Sequence, residues 1–307
     1  MTARRILVTG ASGFVGRRAL APLAARGFEV HAVARGASAP AGGPEGVTWH
    51  GADLLDARAR RALVEHVGAS HLLHLAWYAE PGAFWSAREN APWVAATVGL
   101  VDEFAAAGGA RAVLAGTCAE YDWAAQQPLR EDAAVGPATY YGVCKDATRR
   151  VAEGLAERAG LSFAWGRIFF LFGPREDDRR LVASVARALV AGERAPTSSG
   201  TQVRDFLHVD DAAGAFATLV DSDAHGPVNI ASGTGVTVRR IVEGLARASG
   251  RPELLDIGAL AQRPGDPEAI VADVTRLRDE VGFRPAFSLQ EGLDQTVAWW
   301  RDQARVP

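Results

Sequence analysis

Residues 5–16 read Arg-Ile-Leu-Val-Thr-Gly-Ala-Ser-Gly-Phe-Val-Gly, an apolar run that leads into three glycines. A run of this length is typical of a buried parallel strand, and the alanine- and leucine-rich segment after it has helical periodicity. Glycine between a strand and a helix lets a phosphate approach the backbone, where free N–H groups and the helix dipole attract its charge. The stretch therefore predicts a dinucleotide site at Gly10, Gly13 and Gly16. Because a strand–turn–helix unit without a ligand also uses glycine, this interpretation depends on the rest of the chain.

The composition of the 307 residues favours a globular protein with a small-molecule partner. A net charge of −3 and a charged fraction of 22% argue against a nucleic-acid surface. Two cysteines, Cys118 and Cys144, are too few for a disulfide framework, so we expect a cytoplasmic protein. We recognise no signal peptide, no apolar stretch of membrane-spanning length and no metal-binding motif. We therefore expect neither a membrane nor a nucleic acid as partner.

Strands and helices alternate along the first half of the chain. Strands are predicted at 27–35, 71–76 and 112–117, and helices at 57–67 and 90–107. This alternation predicts right-handed crossovers and an α/β fold with a doubly wound parallel sheet. Ligands of such sheets bind beyond the carboxyl ends of the strands, so we expect Thr117 at the same edge as the glycine turn.

The second predicted strand ends at Ala34 and Arg35. An acidic residue at this point would bind the adenosine ribose hydroxyls and select NAD. A guanidinium suits a 2′-phosphate instead, so Arg35 favours NADP(H), with NAD(H) as the alternative. A solvated arginine at a strand end without a ligand would look the same in the sequence.

Tyr141 and Lys145 are four residues apart in a predicted helix at 140–159, so they lie on one helical face. A lysine beside a tyrosine, near a positively charged cofactor, lowers the pKa of the phenol and suits it to proton transfer near neutral pH. Such a pair alone is common on helix surfaces. Its combination with the glycine turn and Thr117 predicts a site for hydride and proton transfer.

These motifs together resemble the extended short-chain dehydrogenase/reductases, the NAD(P)-dependent nucleotide-sugar epimerases, dehydratases and ketoreductases. The resemblance runs over nearly the whole chain and also includes Asp53-Leu54, 74–76, 167–174, 204–211, 229–233, 263–266 and 272–285. It implies an NAD(P)-binding Rossmann domain at 1–166, to which 204–224 return. It also implies a smaller α/β substrate-binding region from 167–203 and 225–307. By the same resemblance we expect a homodimer, paired through helices 90–107 and 140–159.

The resemblance assigns roles to individual residues. Tyr141 would be the acid/base, Thr117 the hydrogen-bond partner of the reacting oxygen, and Lys145 the ligand of the nicotinamide ribose. The other cofactor-binding residues would be Gly10, Ser12, Gly13, Phe14, Val15, Gly16, Arg35, Asp53, Leu54, Leu75, Ala76 and Phe169. The substrate would contact Trp77, Thr117, Cys118, Phe170, Arg204 and Arg263, the two arginines through its diphosphate.

Departures from the family patterns narrow the reaction. The 4,6-dehydratases carry an Asp-Glu pair directly after the strand-end threonine, where this chain has Cys118-Ala119, so dehydration is disfavoured. Members that combine double epimerisation with reduction carry a cysteine at the position of Ala119 and a histidine within the segment equivalent to 175–181, which has none here. Phe170 replaces a family asparagine that helps to hold the diphosphate. This opens the alternative of a substrate without a nucleotide, against which Arg204 and Arg263 argue.

Two reactions remain. Because Arg35 favours NADPH, we predict reduction of a nucleotide-linked 4-keto-6-deoxy sugar, with hydride delivered to the carbonyl carbon and the proton donated by Tyr141. The alternative is an NAD-dependent nucleotide-sugar 4-epimerase. A non-catalytic dinucleotide-binding sensor is disfavoured because Tyr141 and Lys145 are both present.

Overall fold

The computed structural model describes residues 4–36, 45–262 and 264–305. The strands are β1 (Arg4–Thr9), β2 (Phe28–Ala34), β3 (Thr48–Gly51), β4 (His71–His74), β5 (Arg111–Thr117), β6 (Ser162–Ile168), β7 (Phe170–Phe172), β8 (Ala195–Thr197), β9 (Val203–His208), β10 (Gly226–Ile230), β11 (Gly235–Thr237), β12 (Leu255–Ile257) and β13 (Ala269–Ile270). The helices are α1 (Gly16–Ala25), α2 (Ala57–Val67), α3 (Asn90–Ala106), α4 (Tyr140–Ala159), α5 (Leu181–Ala191), α6 (Val209–Val220), α7 (Val238–Ser249), α8 (Thr275–Asp279) and α9 (Leu289–Arg305).

Seven of the described strands form one parallel sheet in the order β3-β2-β1-β4-β5-β6-β10. Helices α1 and α6 cover one face of this sheet, and α2, α3 and α4 cover the other. Ile6, Leu7 and Val8 of β1 are fully buried because this central strand has a helical layer on both sides. The predicted α/β fold with a doubly wound parallel sheet is confirmed.

The strand order reverses between β1 and β4. Chain segments leave the two strands in opposite directions at such a point, which opens a crevice beyond their carboxyl ends. The glycine turn after β1 and the segment after β4 border this crevice, and Thr117 ends β5 next to them. The fold therefore brings the predicted cofactor and catalytic residues to one edge of the sheet.

Helix boundaries follow local chemistry that the sequence carries. The Asp56 carboxylate accepts hydrogen bonds from the backbone N–H groups of Arg58 and Ala59, at 2.8 and 3.2 Å, and so caps the start of α2. This helix ends at Gly68, whose φ of 54° is in the left-handed region. In the same way the Thr139 hydroxyl caps α4, the helix that carries Tyr141 and Lys145.

A second, smaller region contains two further groups of strands. Strand β9 pairs with β7 and β13 in parallel and with β11 in antiparallel orientation, and β8 pairs with β12. Helices α5, α7 and α9 pack against one another over an apolar core beside these strands. None of the helices in the described ranges is long and apolar enough to span a bilayer.

The position of β10 differs from the expectation that 225–307 belong to the substrate-binding region. Residues 226–230 form the edge strand of the large sheet, paired with β6, which itself extends to Ile168. Of the returning segment, α6 packs on the large sheet whereas β9 belongs to the small one. A short apolar strand carries no local signal of which sheet it joins, because the pairing partner is distant in sequence. The division into two functional regions stays a prediction.

Candidate active site

The glycine turn is so tight that Gly10 and Gly16 have no room for a side chain. Gly10 has a φ of 67°, and a Cβ there would lie 2.7 Å from the backbone nitrogen of Ala76. A Cβ on Gly16 would lie 2.1 Å from the Gly10 carbonyl oxygen. The backbone N–H of Gly13 donates to that same oxygen at 2.9 Å. The turn therefore packs directly on Leu75 and Ala76 after β4 and leaves a backbone-lined cradle that suits a pyrophosphate, with Ser12, Phe14 and Val15 in the same turn.

The residues predicted to bind the adenosine part of the cofactor follow β2 and β3. Arg35 is exposed at the end of β2, with no ion-pair partner among the described residues. Asp53 accepts a hydrogen bond from the backbone N–H of Leu55 at 3.0 Å, and Leu54 beside it is buried. The Arg60 guanidinium donates to the Leu54 carbonyl oxygen at 3.0 Å while pairing with Glu103, which fixes this loop. Arg60 belongs to no recognised motif and was not predicted from the sequence.

Thr117, Tyr141 and Lys145 meet where α4 approaches the end of β5. The two elements approach so closely that a Cβ on Gly142 would lie 2.3 Å from the Ala119 carbonyl oxygen. Lys145 is buried, and its Nζ donates to the carbonyl oxygen of Ala115 at 2.8 Å. Burial lowers the pKa of Lys145 to about 7, while the charge of Glu120 acts to raise it. The trio predicted from the sequence is thus assembled in one place.

Opposing effects act on the pKa of Tyr141. Burial raises the pKa of the phenol above its ordinary value, and the charge of Glu120 acts in the same direction. A hydrogen bond with the Thr117 hydroxyl and the positive charge of Arg180 both act to lower it. Arg180 was missed by sequence reasoning, since it lies 39 positions along the chain from Tyr141 outside any recognised motif. A positively charged cofactor bound near the phenol would favour its ionised form further.

Aromatic side chains surround Tyr141. Phe84 and Trp85 contact its ring edge-on, with centroids 5.0 and 6.0 Å away, and the Tyr141 backbone N–H donates to the Trp85 carbonyl oxygen at 3.1 Å. Trp123 lies 6.4 Å from Trp85 and donates its indole N–H to the Cys118 carbonyl oxygen at 2.9 Å. Trp77, by contrast, lies against the ammonium of Lys145. We call Phe84, Trp85 and Trp123 the aromatic wall.

A buried ionic network stands behind Thr117. Glu120 is fully buried and accepts hydrogen bonds from Arg167 Nε, Trp165 Nε1 and the Thr117 backbone N–H, at 2.8, 2.9 and 2.8 Å. These contacts fix the backbone that carries the Thr117 hydroxyl, and they leave Glu120 no free oxygen for substrate chemistry. The signal that was overlooked is Arg167, a charged residue in the apolar strand β6, because a buried arginine requires a buried acid.

Cys118 and Ala119, which follow Thr117, offer no acid/base pair. Both are buried, and burial together with the nearby charge of Glu120 raises the pKa of the Cys118 thiol to about 12. The thiol is therefore protonated at neutral pH and acts as a small apolar group.

Of the two arginines predicted to bind the substrate diphosphate, the structure describes one. Arg204 in β9 is buried, donates to Asp266 at 2.6 Å and lies with its guanidinium 5.6 Å from the ring centroid of Phe170. Arg263, its predicted partner, lies outside the described residues. Phe169, between β6 and β7, is buried, with its ring centroid 6.3 Å from that of Tyr121. Asp205 stabilises the neighbouring loop by accepting hydrogen bonds from the backbone of Ser232, Gly233 and Ala272.

Comparison with known proteins shows which family the chain belongs to. A sequence profile described as the NAD dependent epimerase/dehydratase family matches residues 6–231. The chain belongs to this family. The resemblance to extended short-chain dehydrogenase/reductases is thereby confirmed, and the glycine cradle fits the NAD of its members.

Relatives within the family cover almost the whole chain. UDP-glucose 4-epimerase of Rhizobium meliloti is 29% identical over 97% of this chain and 98% of its own. dTDP-glucose 4,6-dehydratase of Streptomyces griseus is 28% identical over 96% of this chain and 93% of its own. The structure of MoeE5 in complex with UDP-glucuronic acid and NAD is 31% identical, with a TM-score of 0.83 over 97% of this chain and 99% of that one. The family is thus one of NAD-dependent enzymes that act on nucleotide sugars.

Proposed function

We propose that the protein is an NAD-dependent nucleotide-sugar 4-epimerase. Such an enzyme removes a hydride and a proton from one sugar carbon and its hydroxyl, and then returns both so that the configuration at that carbon is inverted. The proposal differs from the ketoreductase favoured by the sequence, which stays a prediction.

One observation supports this proposal: among the described residues, one proton-transferring group, Tyr141, lies beside the Thr117 hydroxyl at the end of β5. Elimination of water across two carbons needs further proton-transferring groups beside that pair. The two positions after Thr117 hold a protonated thiol and a methyl group, and Glu120 is committed to Arg167. Redox chemistry at one carbon is what this set of groups supports.

The residues then divide the chemistry among them. Tyr141 takes the proton of the C4 hydroxyl as the carbon is oxidised and returns it when the carbon is reduced. Thr117 hydrogen-bonds the same oxygen, so its position is held while charge develops on it. The positive charge of Lys145 favours the ionised phenol. NAD, bound at the cradle of Gly10 and Gly16, would supply the acceptor and later donor of the hydride.

The comparisons support this choice of reaction. UDP-glucose 4-epimerase of Rhizobium meliloti matches this chain over nearly its full length. The MoeE5 complexes contain UDP-glucuronic acid or UDP-glucose together with NAD. These names indicate nucleotide sugars as the substrate class and NAD as the cofactor.

The NADPH-dependent 4-ketoreductase is the second candidate, and Arg35 favours it. The guanidinium is exposed at the end of β2, with no ion-pair partner among the described residues, and would be available to a 2′-phosphate.

The two candidates differ in what they retain and consume. Purified protein would be denatured and the released nucleotide identified by chromatography. UDP-glucose, UDP-glucuronic acid and dTDP-glucose would then be incubated with native enzyme without added cofactor. We expect NAD to be released, one sugar to be converted without net formation of NADH, and an Arg35→Ala variant to behave like the parent. Absence of bound NAD, with tighter binding of NADPH than NADH that is lost in Arg35→Ala, would establish the ketoreductase instead.

A further inference from the structure

Lys145 holds its charge in an unusual environment. It is the only lysine in the sequence, and its side chain is almost entirely buried. Its ammonium donates to the Ala115 carbonyl oxygen at 2.8 Å, and it forms no ion pair among the described residues. Two indoles also face the charge: the ring centroid of Trp77 lies 3.9 Å from Nζ and that of Trp165 lies 5.8 Å away, so Trp77 is the nearer. An ammonium over an indole face at this distance is attracted by the negative face of the ring.

The indole is held in this position from behind. Trp77 Nε1 donates to Asn90 Oδ1 at 2.8 Å, and Asn90 is fully buried. The amide nitrogen of Asn90 donates in turn to the carbonyl oxygens of Phe84 and Ala87, at 2.8 and 2.9 Å. Trp93 lies 6.2 Å from Trp77 and completes the packing. Asn90 therefore connects the ring at Lys145 with the segment that begins the aromatic wall at Tyr141.

We propose that Trp77 is a positioning residue, which holds the ammonium of Lys145 through its indole face and is itself oriented by Asn90. This differs from the substrate contact that the resemblance implies for Trp77. It rests on the proposed function only in that Lys145 serves the reaction, and it applies equally to an epimerase and a reductase.

The consequence concerns the charge on Lys145. Burial lowers the pKa of Lys145 to about 7, whereas an indole face stabilises the ammonium and therefore acts to raise that pKa. The other titratable groups that act on the ammonium are His74 of β4 and Glu120 after β5, and Tyr141 lies one helical turn before Lys145 in α4. His74 is uncharged at neutral pH because burial lowers its pKa to about 3, and Glu120 is paired with Arg167. Trp77 is therefore the neighbour whose replacement changes the stabilisation of the ammonium most directly.

The test uses the fact that the chain has one lysine. In protein labelled with ¹³C-lysine, the side-chain signal of Lys145 needs no assignment, and its titration can be followed by NMR with no cofactor or substrate present. Trp77→Leu keeps apolar bulk without a π face, and Trp77→Phe keeps a smaller π face. Trp93→Leu removes a neighbouring indole that does not touch Lys145 and serves as the matched control.

We expect Trp77→Leu to lower the titration midpoint by about 0.5–1.5 pH units, the range that cation–π interactions span between exposed and desolvated sites. Trp77→Phe should lower it less, and Trp93→Leu should leave it unchanged. If Trp77 merely excludes water, its loss would admit solvent and the midpoint would rise. A midpoint that rises or stays the same in Trp77→Leu would overturn the proposal, as would an equal shift in the Trp93→Leu control.

The same variants separate this proposal from the proposed function. With NAD bound, loss of charge at Lys145 should move the pH profile of turnover to higher pH in Trp77→Leu, with the plateau rate less affected. Failure to convert any nucleotide sugar would refute the epimerase but leave the NMR midpoints as a complete test of Trp77.

Discussion

Two hydroxyl groups, those of Thr117 and Tyr141, carry the proposed chemistry at the scale of single residues. Tyr141→Phe removes the acid/base and should reduce turnover about a hundred- to ten-thousand-fold, the usual contribution of such a group. NAD binding should be retained, because the ring and its contacts with Phe84 and Trp85 remain. Turnover and NAD titration would be measured on the same preparations.

Tyr140 provides the control for this variant. It is the adjacent residue of the same helix and is exposed, so Tyr140→Phe removes a phenol oxygen without touching the site. Equal turnover of the two variants would rule out Tyr141 as the proton-transferring group.

Single residues also show where sequence reasoning succeeds. The glycines, Thr117, Tyr141 and Lys145 were found because each belongs to a short motif whose spacing has a direct structural meaning. The network around Glu120 was not found, because its members meet only in the folded chain: Arg167 and Trp165 are 47 and 45 residues from Glu120. Trp77 follows Ala76 in the sequence, but the sequence does not specify that its ring lies against Lys145.

At the scale of elements, the close contact between α4 and the end of β5 positions the site. A Cβ on Gly142 would lie 2.3 Å from the Ala119 carbonyl oxygen, so Gly142→Ala must displace the start of α4. We expect turnover to fall about a hundred-fold, since a displacement of about 1 Å at reacting groups has that effect. The measurement is turnover together with the thermal unfolding midpoint.

Gly154 allows the matched comparison within the same helix. A Cβ there meets no atom within 4 Å, and alanine favours a helix interior over glycine by roughly 0.5–1 kcal/mol. Gly154→Ala should therefore stabilise the protein slightly and leave turnover unchanged. Similar losses of activity in both variants would show that the contact at Gly142 does not position Tyr141.

The elements themselves were predicted well where they alternate. The helix at 140–159 has the bounds predicted for it, and the strand at 112–117 begins one residue earlier than predicted. The pairing of the edge strand β10 with β6 was not predicted, because parallel pairing joins segments that are far apart in sequence.

Exposed apolar side chains on α4 predict that the protein assembles into a dimer. Helix α4 exposes Val143 and Val151, at 48% and 49% of their surface, and α3 packs beside it. Exposed apolar side chains on one helix are expected to be covered in a dimer. We predict that the protein is a homodimer and that Val143→Glu with Val151→Glu yields a monomer by light scattering. Leu260→Glu, at another exposed apolar residue, should leave the mass unchanged; a monomeric parent would contradict the prediction.

The stability of the whole molecule should depend on pH through His74. Its ring lies between the hydroxyls of Thr9 and Thr97, and burial lowers its pKa from 6.5 to about 3. The unfolded chain therefore binds one more proton than the folded protein as the pH falls below 6.5, so acid favours unfolding.

The comparison with His74→Gln isolates this effect. Relative to that variant, the parent should lose about 1.4 kcal/mol of unfolding free energy for each pH unit between the unfolded pKa of 6.5 and the folded pKa of about 3. Glu176 acts in the opposite direction, because burial raises its pKa to about 8, which is why the difference between two proteins is the informative quantity. Parallel stability curves in urea for the two proteins would contradict a neutral, buried His74.

The central claim, that oxidation and reduction take place at one carbon with the hydride retained, has a direct isotopic test. A nucleotide sugar that the enzyme converts would be supplied with deuterium at C4, without added cofactor, and the product analysed by NMR and mass spectrometry. We predict that the C4 epimer forms and that its C4 carries the deuterium. Loss of the label, or conversion only when reduced cofactor is added and consumed, would contradict the epimerase.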